Sequence, residues 1–526
     1  MPEEGFTWER ALGELERRAR AARELGGVER IERRRAQGFG TVRERIARVT
    51  DRFYEVGEFA KFVERDADGR PLVELPSSYV CGLGEVDGRP VAVGGDDFTV
   101  RGGLPQGGYL DRRKGGMGGF VEDLAHEYRI PLLLFMDGTG GDVGAIDDKG
   151  HAYLVSSMSW RRCFEVMSEV PVLTAVLGAA AGGSGGRAVV SHFSVISRGS
   201  VLFAGGPPVV KRSLGIDIDK HQLGGAEMHT SVSGSIDNLA VDEDDAIAQM
   251  KRFLSFMPQN VWEMPPRGPR DDPPERREQA LLEIVPENRR RPYKMRKIIH
   301  AIVDRGSFFE IGAGWGRAVI SGLARMDGIP VGILANDPMV LAGALDGDAA
   351  DKQVRFVDLC STFHLPIVYF VDVPGFMVGP DAERGNVLRK GMRAIQALIE
   401  ADVPVITVHV RRAFGMAVSA TADPDALGLR IAWPSAEWGD MPIEGGVDAA
   451  FRREIEAAED PAAFRREAEQ RLLAAADPWK TVEAFGIESM IDPRDTRPTL
   501  CAFLNASLNS LTTHLGPPRK QWTMRP

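Results

Sequence analysis

Cysteine is scarce in this chain, and the four residues present, Cys81, Cys163, Cys360 and Cys501, stand far apart. With no Cys-x-x-Cys, neither a zinc ribbon nor a disulfide framework is supported, and a reducing, cytoplasmic setting is expected. No apolar stretch reaches the roughly 20 residues that a bilayer-spanning helix needs, so no membrane span is expected. The Walker pattern G-x-x-x-x-G-K-[ST] is missing, which argues against a nucleoside triphosphatase even though residues 102–119 are glycine-rich and carry Lys114. Long basic runs are missing too, and a formal charge of −10 speaks against nucleic acid as a partner. His221 and His229 have no third ligand at metal spacing, so local hydrogen bonding is their expected role and no metal is expected. The N-terminal stretch mixes Arg with Glu, unlike a secretory signal or a transit peptide.

What the sequence does have is a strand-and-turn pattern used twice. Residues 170–187, VPVLTAVLGAAAGGSGGR, read as a buried β-branched strand that ends in an Ala/Gly block. A strand that feeds a glycine turn and then a helix aims free main-chain N–H groups at whatever sits above the turn. Residues 403–419, VPVITVHVRRAFGMAVS, repeat the motif Val-Pro-Val-x-Thr, with Pro404 lying 233 positions after Pro171. Upstream, Arg129-Ile130-Pro131 leading to Asp137 is answered by His364-Leu365-Pro366 leading to Asp372, an offset of 235. Asp87-Gly88 and Asp97-Phe98-Thr99-Val100 are answered by Asp327-Gly328 and Asp337-Pro338-Met339-Val340, with an offset of 240 at Asp337. Three segments in one order with a slowly drifting offset mean a duplicated domain; a solenoid would repeat every 20–50 residues.

At 526 residues the chain has room for two or three cores. Alternating strand and helix patterns, such as the helix at 120–128 before the strand at 132–136, imply βαβ units and a largely parallel sheet, hence an α/β fold. A helical arm is expected near 8–35, and a helix start at Thr41 with Glu44 completing a capping box. Residues 258–292 hold eight prolines and no apolar period, which reads as a linker. The expected domains are therefore 1–257, the linker 258–292, and 293–526. Gly312-Ala313-Gly314-Trp315-Gly316 follows a strand but precedes another strand at Val319, so it is not read as a dinucleotide site. The charged stretch 451–475 reads as a solvated or subunit-facing helix.

Two chemistries compete at the first turn. Gly182-Gly183-Ser184-Gly185-Gly186 matches G-x-S-x-G, the nucleophile elbow of α/β-hydrolases, in which Ser184 would attack an ester or thioester. In the second copy, however, Ala417 falls opposite Ser184 and Met416 opposite Gly183. A function that needs only backbone N–H groups survives that exchange, and a Ser/His/Asp triad does not. Two oxyanion holes in one chain suit transfer between two carbonyl compounds, each donor contributing on the order of 3 kcal/mol.

The residues also carry a family resemblance across nearly the whole chain. Asp97-Phe98-Thr99-Val100, Leu223-Gly224-Gly225-Ala226, residues 336–343 (NDPMVLAG), Asp372-Val373-Pro374-Gly375-Phe376 and residues 432–437 (AWPSAE) resemble the carboxyltransferase (β) subunit of biotin-dependent acyl-CoA carboxylases, of the propionyl-CoA, acetyl-CoA or methylcrotonyl-CoA type. The resemblance implies two duplicated crotonase-like domains of ββα superhelical repeats. It implies acyl-CoA on the N-terminal domain and carboxybiotin on the C-terminal domain of another subunit, in a homo-hexamer. It places one oxyanion hole at Gly183 and Ser184 and the other at Met416 and Ala417, with Gly140, Gly141, Gly182, Gly415, Ser419, Gly375 and Phe376 around the substrates. In the family reaction, carboxybiotin releases CO2, the freed biotin takes the α-proton, and the enolate attacks CO2, so no side chain need act as the main base.

This sequence departs from the family pattern at both turns. The family's Ser-Gly-Gly-Ala-Arg is here Thr139-Gly140-Gly141-Asp142-Val143, which removes a positive charge near the CoA site. Its Tyr-Gly-Gly-Ala-Tyr-Asp is here Phe414-Gly415-Met416-Ala417-Val418-Ser419, and Ser419 stands where relatives choose among acyl chains. Tyr293-Lys294-Met295 lacks the Met before Lys of a biotin-acceptor site, so biotin is expected on a separate carrier, supplied with a biotin carboxylase partner. A biotin-dependent acyl-CoA decarboxylase and a non-catalytic CoA-ester-binding paralogue remain as alternatives.

Overall fold

The computed structural model describes residues 6–65, 71–103, 116–141, 150–152, 160–289, 291–423 and 428–518. Lys114, Asp142 and Val143 lie outside the described residues. The chain divides into two compact units, Met1–Ser255 and Phe256–Arg525.

In the first unit, helices Trp8–Arg23 and Val28–Ala36 form the arm, and Val42–Val49 opens with the expected capping box, Thr41 and Glu44 satisfying each other's backbone N–H groups. Seven strands follow in one sheet, in the spatial order Arg52–Val56, Tyr79–Val86, Arg89–Asp96, Leu132–Met136, Val172–Val176, Phe193–Ser197 and Asn238–Ala240. The first three pair antiparallel, and every later neighbour pairs parallel. Asp87 and Gly88 both take positive φ (49° and 77°), the tight hairpin that matches strand twist, and it sets the register of the antiparallel pair. The parallel strands read as unbroken apolar runs because both faces are covered, and Leu132–Met136 and Val172–Val176 are buried at every position.

The second unit repeats this plan. Its sheet runs Phe309–Ile311, Val319–Met326, Ile329–Asn336, Ile367–Val373, Val405–Phe414, Leu429–Ala432 and Ser489–Met490, with Glu437–Gly439 beside the far end of Val405–Phe414. The repeat extends to backbone angles: Asp327 and Gly328 (51°, 75°) match the first hairpin, and His364 (57°) matches Arg129 (54°). It also explains the threonine of Val-Pro-Val-x-Thr. Thr174 Oγ1 donates to Ala188 O at 2.7 Å and Thr407 Oγ1 to Thr421 O at 2.7 Å, each tying the strand to the end of the helical turn that follows it.

The segment of linker-like composition packs within the second unit. Arg276 donates to the carbonyls of Ala301 and Val303, Arg497 to those of Asp272 and Pro273, and Leu281 is buried in the core cluster with Ile298 and Ile302. Paired charges and carbonyl contacts anchor it where an apolar period would otherwise be required. The charged stretch 451–475 forms two helices, Arg452–Ala457 and Pro461–Ala475. No helix among the described residues is long and apolar enough to cross a membrane.

Candidate active site

Each unit builds a corner in the same way. Ala179–Ala181 pairs parallel with Val201–Phe203, and Arg412–Phe414 pairs parallel with Glu437–Gly439. The last rung of the first ladder is Gly182 N–H to Phe203 O at 3.1 Å, and of the second Gly415 N–H to Gly439 O at 3.0 Å. Gly182 and Gly415 then turn the chain with φ of 55° and 66°, angles that side-chain-bearing residues rarely adopt. A helical turn starts immediately: Gly183–Val189, closed by Gly186 N–H to Gly182 O at 2.8 Å, and Met416–Ala420, closed by Val418 N–H to Gly415 O at 3.1 Å. The opening N–H groups of a helix have no acceptor within it. Among the described residues, no oxygen accepts from the N–H of Gly183, Ser184, Met416 or Ala417. Each corner therefore has two adjacent main-chain N–H groups without an acceptor among the described residues, the kind of donor that can stabilise a developing oxyanion.

Of the remaining residues named from the sequence, Gly140 and Gly375 approach the strand ends that lead into the corners, each within its own unit. A Cβ built on Gly140 would stand 3.2 Å from Ala181 O and from Gly182 Cα, a tight fit that its neighbours would have to give way to accommodate; Gly141 faces open space. In the second unit, a Cβ on Gly375 would stand 4.0 Å from Phe414 O, and the Phe376 ring packs over Gly391. Met416 is half exposed, and Ser419 is exposed near the end of its turn. A cavity of about 750 Å³ lies beside the first corner, lined by Gly182, Gly186, Phe203, Val210, Leu214 and Leu223.

Buried aspartates brace the strands that lead in. Asp137 is held by Arg34 and by Arg45 (3.0 Å), and its Oδ1 accepts the Ala179 N–H at 3.0 Å. Asp372 accepts from Arg411 and Arg412, and its Oδ1 accepts the Arg412 N–H at 3.2 Å. Ala179 and Arg412 are equivalent positions of the repeat. Sequence reasoning used both aspartates as landmarks without seeing this role. The signal available was an acid at the end of an apolar strand in both copies.

The nucleophile elbow is not assembled. Ser184 Oγ donates to Asp96 Oδ2 at 2.9 Å and lies 3.7 Å from Met136 Sδ, and among the described residues no histidine bonds it. Burial raises the Asp96 carboxyl to about 6, against the hydrogen bonds from Ser184 and the Asp137 N–H and the charge of Arg187. Burial also pushes the thiols of Cys81, Cys163 and Cys501 up to about 12, so none is a ready nucleophile. It holds buried His409 down at about 4, hence neutral. His229 is hydrogen-bonded to Leu202 O (2.8 Å) and Ser233 Oγ (3.0 Å), the local role expected of it. Among the described residues, no group of three or more His, Cys, Asp or Glu side chains is placed to hold a metal.

The carboxyl transferase domain model matches residues 33–521. The chain belongs to the carboxyl transferase family. It is 36% identical over 511 residues to the propionyl-CoA carboxylase carboxyltransferase subunit of Haloferax mediterranei, covering 95% of this chain and 96% of that one. It is 34% identical over 485 residues to the methylmalonyl-CoA decarboxylase subunit alpha of Veillonella parvula, covering 90% and 91%. Among solved structures, the transcarboxylase 12S hexamer with methylmalonyl-coenzyme A and methylmalonic acid bound superposes with a TM-score of 0.88 at 32% identity, covering 99% of this chain and 97% of that one. For this carboxyl transferase the crotonase-like α/β class expected from the sequence stands.

Proposed function

We propose that this chain is the carboxyltransferase subunit of a biotin-dependent acyl-CoA carboxylase, moving a carboxyl group from carboxybiotin on a separate carrier to the α-carbon, or the vinylogous γ-carbon, of an acyl-CoA. The observation that carries this reading is the pair of equivalent corners, each with two unengaged N–H groups. Gly183 and Ser184 receive the thioester oxygen as the α-carbon loses its proton, with Gly140 and Gly141 bordering the substrate. Met416 and Ala417 receive the oxygen that gains charge on the biotin side, bordered by Gly375, Phe376, Gly415 and Ser419. Biotin, when bound, supplies the labile carboxyl group and a base; the chain's own residues bind, orient and stabilise charge. No paired acid and base side chains are needed for this division of labour, which agrees with a site made of main chain.

On this reading residues 1–257 form the acyl-CoA side and 293–526 the carboxybiotin side, with 258–292 packed into the second unit. The protein works as a homo-hexamer with a biotin carboxylase and carrier subunit, in the cytoplasm, where four buried free cysteines are at home. The likeness to a methylmalonyl-CoA decarboxylase subunit supports a second reading, the same transfer run toward biotin. Purification with native partners tests both readings. Co-elution of a biotinylated, ATP-binding subunit and bicarbonate-dependent carboxylation of an acyl-CoA support the first. Co-elution with a membrane decarboxylase subunit supports the second, and failure of every acyl-CoA to exchange a carboxyl group with biotin refutes both.

A further inference from the structure

The two corners differ in one respect that their shared backbone does not require. At the end of strand Arg89–Asp96, the Asp96 carboxylate accepts from the Ser184 hydroxyl at 2.9 Å and from the Asp137 N–H at 3.4 Å. At the equivalent place in the second unit, Asn336 Oδ1 accepts the Asp372 N–H at 3.2 Å, and Ala417 has no hydroxyl to offer. One corner is thus tied by a side chain to the end of the strand Arg89–Asp96, and among the described residues the other has no equivalent bond.

From this asymmetry we infer that Asp96 is a positioning residue of the first corner, holding the Ser184 amide on its target through the Ser184 hydroxyl. The inference rests on the oxyanion reading of that corner. A hydrogen bond to an ionised acceptor is stronger and more directional than one to a neutral acid, so the hold weakens when Asp96 takes a proton. Asp96 is buried with a carboxyl raised to about 6, which puts that protonation within the range of an enzyme assay. The groups facing it are Arg187 from the corner helix, Asp137 from the acidic turn and Tyr79 opposite it on the neighbouring strand. Beyond them, Glu122 pairs with Arg187, and Arg34 and Arg45 pair with Asp137. Burial raises the Tyr79 phenol further above its ordinary range, and it also raises the Asp137 carboxyl against the charges of Arg45 and Arg34, so Asp96→Asn is the variant that assigns the limb to Asp96.

The test is transfer of the carboxyl group from a carboxylated acyl-CoA to free biotin, run on the full-length chain from pH 5.5 to 8.5. The expected wild-type kcat falls below about pH 6 while KM for the acyl-CoA stays nearly constant. Asp96→Asn keeps a neutral acceptor and loses the titration, so its kcat is flat across that limb. Asp96→Ala and Ser184→Ala each lower kcat about 10-fold at pH 7.5, the loss of one hydrogen bond to a charged group. Because both remove the same bond, the double variant loses no more than either single one. A limb that persists in Asp96→Asn, or losses that add in the double variant, overturns the inference while leaving the oxyanion reading intact. Absence of transfer by the wild-type chain with every acyl-CoA overturns the functional reading, and the inference with it.

Discussion

Met416→Pro removes one hydrogen from the second corner and almost nothing else. The Met416 N–H has no acceptor among the described residues, so no bond within the protein is lost. Proline suits the first position of a helical turn, where its fixed φ is already the one required. The residue before it, Gly415, has ψ of −169°, the extended value that a residue preceding proline adopts, and glycine carries the positive φ without strain. The Met416 side chain is 48% exposed, so its removal empties no core. Deletion of a single oxyanion donor is worth roughly 2.7–4 kcal/mol, or about 10²–10³ in kcat. The assay is transfer of the carboxyl group from a carboxylated acyl-CoA to free biotin, with thermal unfolding to confirm an unchanged fold. Met416→Ala, which keeps the N–H, reports the side chain's own share. A folded Met416→Pro whose kcat lies within about 3-fold of Met416→Ala, under 1 kcal/mol, refutes the assignment of that amide.

Other expectations follow from the same geometry. Gly182→Ala forces a side chain into φ 55°, ψ −118° and sets its Cβ 3.1 Å from Gly140 Cα. A destabilisation of roughly 1–3 kcal/mol is expected, read by urea denaturation, with a loss of kcat larger than that of KM. Asp372→Ala leaves Arg411, 3% exposed, buried without its carboxylate and is expected to destabilise the second unit by about 3–5 kcal/mol, measured the same way. Asp96→Asn is expected to stabilise the protein at alkaline pH. The carboxyl is raised from 3.8 to about 6, so the stability it contributes is full below about pH 4 and is lost as pH rises through 6. About two units correspond to about 3 kcal/mol. Melting temperatures of wild type and variant should therefore diverge from about pH 4 to pH 7 and run parallel above that; curves parallel over the whole range count against a buried, titrating Asp96.

Much of the candidate site's backbone was legible in the sequence, because main-chain geometry leaves a mark in glycine positions. Gly182 and Gly415 stand out as glycines at equivalent places after a β-branched strand, and the duplication itself weakened the G-x-S-x-G match by setting Ala417 opposite Ser184. What could not be read were contacts between distant segments that no periodicity encodes. Phe203 and Gly439 supply the carbonyls that end the two ladders, and neither residue type announces that role, since every residue owns a carbonyl. The Asp96–Ser184 bond spans 88 residues and uses an acid that looks like part of a hairpin. Residues 258–292 look unstructured by composition, because arginine-to-carbonyl bonds such as those of Arg276 and Arg497 fix a segment without any apolar rhythm.

The exhaustion of the Gly182 and Gly415 amides by Phe203 and Gly439 bears on how such a protein diversifies. With the next donors set by chain path alone, side chains at positions like 416 and 419 are free to drift. Substitutions there can thus reshape the surroundings of the corner while its donors, being main chain, stay where the turn puts them.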